Sequence, residues 1–244
     1  MSRQNDLFIS DVHLAPRHPE RRRALLAFLE HHGARAARVF ILGDLFSTWI
    51  GHKQLRDADA AEVADALRRL TASGVETHFI AGNRDFYSLR QLAARTGMTT
   101  HRDGFAVESF GEKVWLCHGH DLYRHDRRTQ SAQSITHARP VEWLFTSVLP
   151  ARLAKFLAAG YQNHSSRVVG HKTRREISIP DEALSEIFEA GHEAIVCGHT
   201  HRLEHLVCRR AGGQWDLYNL GSWETTPHFL RHGADGWHFH VLNK

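Results

Sequence analysis

The chain contains no apolar run that reaches the ~18 residues of a transmembrane helix, so no membrane span is expected. Its first residues, MSRQND, lack the apolar core of a secretory signal peptide and lead directly into a predicted strand. Cysteine is scarce, and the spacing of Cys117, Cys197 and Cys208 matches no zinc motif. These features predict a cytosolic protein with buried, reduced thiols rather than a secreted domain held by disulfides.

Internal repeats and low-complexity tracts are also missing. The 244 residues, 42% hydrophobic and 24% charged, are typical of a soluble globular protein with one domain, or one domain carrying an insertion. The formal net charge is +4 with 21 histidines counted as neutral. This balance suits nucleic acid, anionic lipid or phosphate substrates, and it equally suits a solvated basic surface, so charge alone selects none of them.

Strands and helices alternate through the first hundred residues, with strands predicted at 6–11, 38–43 and 76–81 and helices near 19–32, 57–73 and 87–96. A hairpin over 105–117 is predicted to turn at Gly111-Glu112, and the chain after residue 193 is mostly β. The pattern predicts an α+β fold in which two sheets pack face to face with helices outside. Residues 123–180 interrupt this order and are predicted to form a helical lid insertion between core segments 1–122 and 181–244.

Five strand-like apolar runs end in residues that can bind metal ions. The five strand ends are Asp11-Val12-His13, Gly43-Asp44, Gly82-Asn83-Arg84-Asp85, His118-Gly119-His120 and Gly198-His199-Thr200-His201. Open α/β sheets bind their ligands at the carboxyl ends of their strands, so these side chains are expected to converge. Each motif alone is more often turn chemistry, but the ordered set of five predicts a metalloenzyme.

Carboxylate and imidazole ligands without cysteine suit Mn, Fe, Zn or Mg rather than a structural zinc. Two cations about 3.5–4 Å apart can clamp both the attacking and the leaving oxygen of a phosphate ester. Such a pair needs a bridging carboxylate, and Asp44 is the natural bridge because it ends a central strand. The coordination of one ion would be completed by Asp11, His13 and one C-terminal histidine. The coordination of the second ion would be completed by Asn83, His118 and the other C-terminal histidine.

The motifs Asp-x-His, Gly-Asp, Gly-Asn, His-Gly and Gly-His-x-His, in this order, resemble the calcineurin-like metallophosphoesterase family. The resemblance covers most of the chain outside 123–180 and implies a four-layer αββα sandwich. It also implies two divalent metal ions, with Mn²⁺ as the first choice and Fe, Zn or Mg as alternatives. The implied ligands are Asp11, His13, Asp44 and His201 for one ion, and Asp44, Asn83, His118 and His199 for the other.

Many members of that superfamily have Gly-Asn-His where this chain has Gly82-Asn83-Arg84. Arginine cannot donate a proton at neutral pH, but it can hold a phosphate oxygen and stabilise developing charge. The Gly-Asn-Arg-Asp-Phe sequence resembles the UDP-2,3-diacylglucosamine hydrolases, a family of lipid A pathway enzymes, as do Gly43-Asp44-Leu45-Phe46, Trp49-Ile50-Gly51 and Leu220-Gly221-Ser222-Trp223. This resemblance implies hydrolysis of the pyrophosphate in UDP-2,3-diacylglucosamine to UMP and 2,3-diacylglucosamine 1-phosphate. The chain departs from that family after Phe46 and at His120.

The candidate catalytic residues are Asn83, Arg84 and His199, and the candidate substrate-binding residues are Arg84, Tyr123, Arg167 and Lys172. The 123–180 insertion combines apolar and cationic residues, which suits acyl chains beside phosphates. It could also seat the protein on the anionic inner face of the inner membrane. A helical hairpin that simply packs on the main domain would show the same pattern.

Two other functions are compatible with these motifs. One is a metallophosphodiesterase acting on nucleotides or on another phospholipid-type diester, and the second is a non-catalytic scaffold. A nucleic-acid partner is not favoured, because no basic groove interleaved with aromatic residues stands out. The scaffold is disfavoured because no metal ligand of the motif set is missing.

Overall fold

The computed structural model of the protein describes residues 4–47, 49, 51–85, 89–122, 179–210 and 213–242, with scattered positions between 141 and 160. Most of the predicted 123–180 insertion therefore lies outside the described residues, and its lid role stays a prediction. No helix among the described residues is long and apolar enough to cross a membrane.

The first sheet has six strands. They are β1 (Asp6–Ile9), β2 (Arg38–Leu42), β3 (Glu76–Ile80), β4 (Thr99–His101), β10 (His228–Gly233) and β11 (Gly236–Val241). Their order across the sheet is β11-β10-β1-β2-β3-β4, and β1 to β4 run parallel to one another. The carboxyl ends of β1, β2 and β3 therefore meet at one edge, where the first three ligand motifs begin.

The second sheet has five strands. They are β5 (Phe105–Ser109), β6 (Glu112–Leu116), β7 (Ala194–Cys197), β8 (Leu203–Arg210) and β9 (Gly213–Leu220), in the order β5-β6-β7-β9-β8. β6 and β7 are parallel neighbours, paired as Leu116 with Val196. The His118 and His199 motifs consequently leave the second sheet side by side.

Helices α1 (Pro19–His31), α2 (Ala58–Ala72) and α3 (Leu89–Thr96) follow strands of the first sheet, and α4 (Asp181–Glu189) precedes β7. Proline at the first turn of α1 is favoured there, because its missing N–H would be unpaired in any case. In α2 the buried positions Val63, Leu67 and Leu70 recur at helical spacing and form the stripe that packs inward.

The buried apolar residues form three layers, one between the sheets and one on the outer face of each sheet. Between the sheets, Phe8 and Phe40 stack with their ring centroids 5.0 Å apart. Burying an aromatic side chain of this kind stabilises the fold by about 1.5–3 kcal/mol. On the outer face of the second sheet, Phe188 of α4 packs in the cluster that contains Ile195 and Leu217. The α+β fold and its αββα layers are thus as predicted.

A buried polar network fastens the two sheets at the edge opposite the ligand motifs. Asp6 of β1 accepts a hydrogen bond from Arg38 Nε at 2.9 Å and one from the Ser109 hydroxyl at 2.6 Å. Ser109 Oγ also lies 2.8 Å from His232 Nδ1. Since Asp6 and His232 belong to the first sheet and Ser109 to the second, the network fixes the separation of the sheets at this end.

Some local features differ from the sequence predictions. The hairpin turns at Phe110 and Gly111, with φ of 48° and 85°, rather than at Gly111-Glu112. A two-residue turn with positive φ at both positions matches the twist of the flanking strands, so Phe110 adopts a conformation that its type disfavours. The short strand β4 and the 3₁₀ turn Gly51–Arg56 were not predicted, because neither carries a periodic apolar pattern.

Candidate metal centre

Unusual backbone conformations mark the candidate site. Among the described residues, six non-glycine positions have positive φ, and five of them are predicted metal ligands: Asp11, His13, Asp44, His199 and His201, with φ between 51° and 68°. Such conformations are costly for residues with a Cβ and persist where surrounding contacts hold them, often at functional sites. Strands β1 and β2 end earlier than predicted because the chain turns into this conformation.

The first group of donors surrounds Asp11. Its Oδ2 accepts hydrogen bonds from the Ser10 hydroxyl at 2.6 Å and from the His199 backbone N–H at 2.9 Å. Its Oδ1 lies 3.6 Å from His13 Nε2 and 3.3 Å from His201 Nε2. The two histidine Nε2 atoms are 3.1 Å apart. One carboxylate oxygen and two imidazoles therefore converge on a single point.

Asp44 lies between this group and a second one. Its Oδ2 is 3.9 Å from His13 Nδ1, and its Oδ1 is 3.7 Å from His118 Nε2. Ligand atoms of Asp11, Asp44 and His118 all fall within 4.8 Å of one another. A carboxylate between two sets of imidazoles is the arrangement that a bridging ligand requires.

Asn83 joins the second group. Its Oδ1 lies 3.0 Å from His118 Nε2 and 3.2 Å from His199 Nδ1. His118 Nδ1 is 2.8 Å from the Leu42 carbonyl oxygen, to which it can donate. A backbone carbonyl that holds one ring nitrogen keeps the other aimed at the site, which is the usual support of a metal-binding histidine. The structure thus brings all seven predicted ligands together, and their role as ligands stays a prediction.

Burial and charge set the ionisation of these groups. Burial lowers the pKa of His13 and His199 well below the ordinary value, so both imidazoles are neutral, the form that binds metal ions. Burial opposes ionisation of Asp11, but the neighbouring histidines outweigh it and lower the pKa of this carboxyl. Burial raises the pKa of Asp44, although His118 and Arg84 partly offset it. Two buried carboxylates at such close range favour a cation between them.

The donor set fits divalent cations. Among the described residues, Asp11 Oδ1 and His13 Nδ1 are buried without a hydrogen-bond partner. Buried polar atoms normally have partners, and a bound cation would supply the missing one for a carboxylate oxygen. Gly82 is also required here, because a Cβ at this position would collide with the Asp44 carboxylate. The oxygen and imidazole donors match the hard and borderline divalent metals.

Arg84 lies at the rim of the centre. Its Nε is 3.2 Å from Asp44 Oδ2, and its side chain is 22% exposed. The guanidinium is therefore placed where a phosphate near Asp44 could reach it, and its role in substrate binding stays a prediction. The other predicted substrate-binding residues, Tyr123, Arg167 and Lys172, lie outside the described residues.

Sequence reasoning missed the residues that support the ligands. The backbone N–H of Trp223 and the Ser222 hydroxyl donate to the Asp11 carbonyl oxygen at 3.1 and 3.2 Å. Their Leu-Gly-Ser-Trp motif was used only for its resemblance, without a structural role. The buried Asp85 carboxylate accepts backbone hydrogen bonds next to Asp44, and its place in the Gly-Asn-Arg-Asp motif was the available signal. Burial and the adjacent Asp44 raise the pKa of Asp85 well above its usual range.

Comparison with known proteins gives a consistent result. A family model for calcineurin-like phosphoesterases matches residues 7–203. The chain is 34% identical to a UDP-2,3-diacylglucosamine hydrolase of Edwardsiella ictaluri, over 95% of this chain and 90% of the relative. It is 35% identical to the enzyme of that name from Stenotrophomonas maltophilia, over 98% of both chains.

Among solved structures, a dimetal phosphatase from Danio rerio aligns with a TM-score of 0.52 at 14% identity, covering 99% of this chain and 96% of that one. At this identity the likeness shows the fold alone. The family match spans most of the chain, and the chain therefore belongs to the calcineurin-like phosphoesterase family. Membership implies divalent metal ions, in agreement with the donor set of the site.

Proposed function

We propose that this member of the calcineurin-like phosphoesterase family hydrolyses the pyrophosphate bond of UDP-2,3-diacylglucosamine, giving UMP and 2,3-diacylglucosamine 1-phosphate for lipid A biosynthesis. The observation that carries the reaction type is the position of Asp44 between two sets of imidazoles. The substrate is inferred from relatives named UDP-2,3-diacylglucosamine hydrolase, which match this chain over 95–98% of its length.

In this proposal Asp11, His13, Asp44 and His201 hold one divalent ion, and Asp44, Asn83, His118 and His199 hold the other. When bound, two such cations provide a hydroxide nucleophile at neutral pH and neutralise charge on the phosphates. Mn²⁺ is the first choice for this set of carboxylate, amide and imidazole donors, with Fe, Zn or Mg as alternatives.

The chain's own residues orient the substrate around these ions. The Arg84 guanidinium, fixed beside Asp44, would donate to a phosphate oxygen and stabilise the charge that develops there. Asn83 presents its Oδ1 to His118 and His199, which leaves its amide N–H groups to donate to a phosphate. Burial lowers the pKa of His199 and keeps its imidazole neutral, so this residue does not add a buried positive charge to the site.

The lipid part of the substrate is assigned to the 123–180 insertion. Five large apolar side chains in this part of the sequence are 39–62% exposed: Trp143, Leu144, Val148, Leu153 and Leu157. Exposed apolar side chains concentrated in one stretch of chain suit contact with lipid or with another protein, and the lysines and arginines interspersed with them in the sequence favour an anionic membrane. We therefore place the protein in the cytoplasm, peripherally on the inner face of the inner membrane, with Tyr123, Arg167 and Lys172 as candidate contacts to the substrate.

The test is hydrolysis by the purified protein with Mn²⁺, using UDP-2,3-diacylglucosamine in mixed micelles and mass spectrometry of both products. Stoichiometric UMP and 2,3-diacylglucosamine 1-phosphate are expected, with loss of activity in Asp44→Ala and after chelation. Bis-p-nitrophenyl phosphate serves as a substrate without lipid. Turnover of this diester without cleavage of the sugar nucleotide would instead favour a phosphodiesterase acting on nucleotides or another diester.

A further inference from the structure

Asp85 is a buried carboxylate beside the metal centre that is not among the proposed ligands. Its side chain is only 2% exposed. Its Oδ2 accepts a hydrogen bond from the Leu45 backbone N–H at 3.0 Å, and its Oδ1 accepts one from the Phe46 backbone N–H at 3.4 Å. These two N–H groups follow Asp44 directly in the chain, so Asp85 holds the backbone of the proposed bridging ligand.

The contact is reciprocal. Asp44 Oδ1 accepts a hydrogen bond from the Arg84 backbone N–H at 3.0 Å, so segments 43–46 and 82–85 each bind the other through a carboxylate. We call this pair of contacts the Asp44–Asp85 clasp. Gly82 permits it, because any side chain at that position would collide with Asp44.

The clasp meets a specific need of Asp44. This residue has a φ of 52°, a conformation that costs a non-glycine residue of the order of 1–3 kcal/mol. Backbone N–H groups of the 11–14 segment bind the carbonyl oxygens of residues 43–45, but they leave the N–H groups of Leu45 and Phe46 to Asp85. Without the Asp85 contacts, the 43–46 backbone would be less constrained, and the Asp44 carboxylate would be held less firmly between His13 and His118. The two backbone hydrogen bonds to Asp85 tie Leu45 and Phe46 to the 82–85 segment and so oppose that relaxation.

We infer that Asp85 is a positioning residue, which keeps the Asp44 carboxylate between the two proposed metal positions by holding the Leu45 and Phe46 backbone. This inference rests on the proposed metal binding but not on the proposed lipid substrate. Residues that orient metal ligands in this way typically contribute 10–100-fold to metal affinity.

Asp6 provides a matched control. It is also an aspartate that is 2% exposed, and it also accepts hydrogen bonds through both carboxylate oxygens, but it lies at the opposite edge of the sheet. Replacing either residue by asparagine exchanges one acceptor oxygen of a buried, hydrogen-bonded carboxyl group for an NH₂ group. Only the change at position 85 is expected to lower the affinity for metal ions.

The experiment measures Mn²⁺ binding to chelator-treated protein by calorimetry, and the thermal unfolding of the same metal-free samples. Asp85→Ala should bind Mn²⁺ about 10–100-fold more weakly than the wild type. The Mn²⁺ affinity of Asp85→Asn should lie between those of the wild type and Asp85→Ala, because its amide keeps one acceptor oxygen but turns an NH₂ group toward a backbone N–H. Asp6→Asn should lower the unfolding temperature while Mn²⁺ affinity stays at the wild-type value.

Wild-type Mn²⁺ affinity in a folded Asp85→Ala, or equal losses of affinity in the Asp85→Asn and Asp6→Asn variants, would overturn the inference. If Asp85→Ala does not fold, the comparison of the two asparagine variants decides. Because Mn²⁺ is the only ligand used, the result is independent of the lipid reaction. A wild type that fails to cleave UDP-2,3-diacylglucosamine would refute the proposed substrate and leave the clasp intact.

Discussion

Replacing Arg84 by alanine tests the contribution of its guanidinium separately from that of the rest of the centre. The guanidinium Nε lies 3.2 Å from Asp44 Oδ2, whereas the backbone N–H of the same residue donates to Asp44 Oδ1. Alanine keeps the backbone contact and removes only the positive charge. The Asp44 segment should therefore stay in place, and any loss of activity can be assigned to the guanidinium.

The distance from the guanidinium to the Asp44 carboxylate sets the scale of charge interactions at this position. A unit charge pair at 3.2 Å interacts by about 5 kcal/mol in a medium with an effective dielectric constant near 20. The side chain is 22% exposed, so water replaces part of this interaction when the guanidinium is removed. Loss of one charge-stabilising donor in other active sites costs about 2.7–4 kcal/mol, or 10²–10³ in rate. We expect a decrease of that order in kcat/KM for Arg84→Ala on the pyrophosphate substrate.

Metal binding should respond in the opposite direction. The guanidinium competes with cations for Asp44 Oδ2, so Arg84→Ala should bind Mn²⁺ as well as the wild type or more tightly. Calorimetric titration of the metal-free variant, beside initial rates at saturating Mn²⁺, measures both effects. Arg84→Lys is the control, since it keeps the charge without the planar fork and should give an intermediate rate. Unimpaired kcat/KM in Arg84→Ala, or Mn²⁺ affinity lost in proportion to activity, would refute the role of a phosphate clamp.

Two further predictions concern the insertion and the response to acid. Replacing residues 123–178 by a short flexible linker should abolish cleavage of the diacylated substrate, while hydrolysis of bis-p-nitrophenyl phosphate persists. The reason is that each acyl CH₂ group that is no longer buried costs about 0.8 kcal/mol of binding free energy. Equal losses of activity on both substrates in a folded variant would indicate that the insertion only packs on the main domain. Burial lowers the pKa of four histidines outside the metal centre, His32, His101, His232 and His240, so the unfolded chain binds more protons than the folded one below pH ~6.5. The lowered pKa values of His13 and His199 act in the same sense, whereas the raised pKa values of Asp44, Asp85 and His201 act in the opposite one. Because the histidines with a lowered pKa are the larger group, the metal-free protein should be most stable above that pH and less stable toward pH 5, with the unfolding temperature falling about 2–4 °C per kcal/mol; a flat profile would contradict this reasoning.

The strands and the convergence of the five motifs could be predicted from the sequence because both depend on local patterns, whereas metal binding by these residues stays a prediction. Runs such as Val39 to Leu42 are continuously buried, and a polar residue after such a run can only lie at the edge of the sheet. The order of the five motifs then placed their side chains at one edge without any knowledge of distances. The paired sheets followed from the change of pattern after residue 193.

What the sequence could not show depends on backbone contacts between distant segments. The residue types do not indicate that Asp85 binds the N–H groups of Leu45 and Phe46, because every acidic residue in a loop has the same signature in the sequence. The positive φ of Asp44 was equally hidden, because this conformation is expected of glycine and only tolerated by aspartate. Sequence patterns report burial and periodicity, whereas these features come from tertiary hydrogen bonds.

The position of the centre also has a consequence for the fold as a whole. Four proposed ligands, Asp11, His13, Asp44 and Asn83, follow strands of the first sheet, and three, His118, His199 and His201, follow strands of the second. At the opposite edge, the Asp6, Ser109 and His232 network already joins the sheets. At the ligand edge, the direct links include His118 to the Leu42 carbonyl and the His199 N–H to Asp11. Cations held by donors of both sheets would add a third set of links, so metal-binding free energy would contribute directly to keeping the two sheets in register.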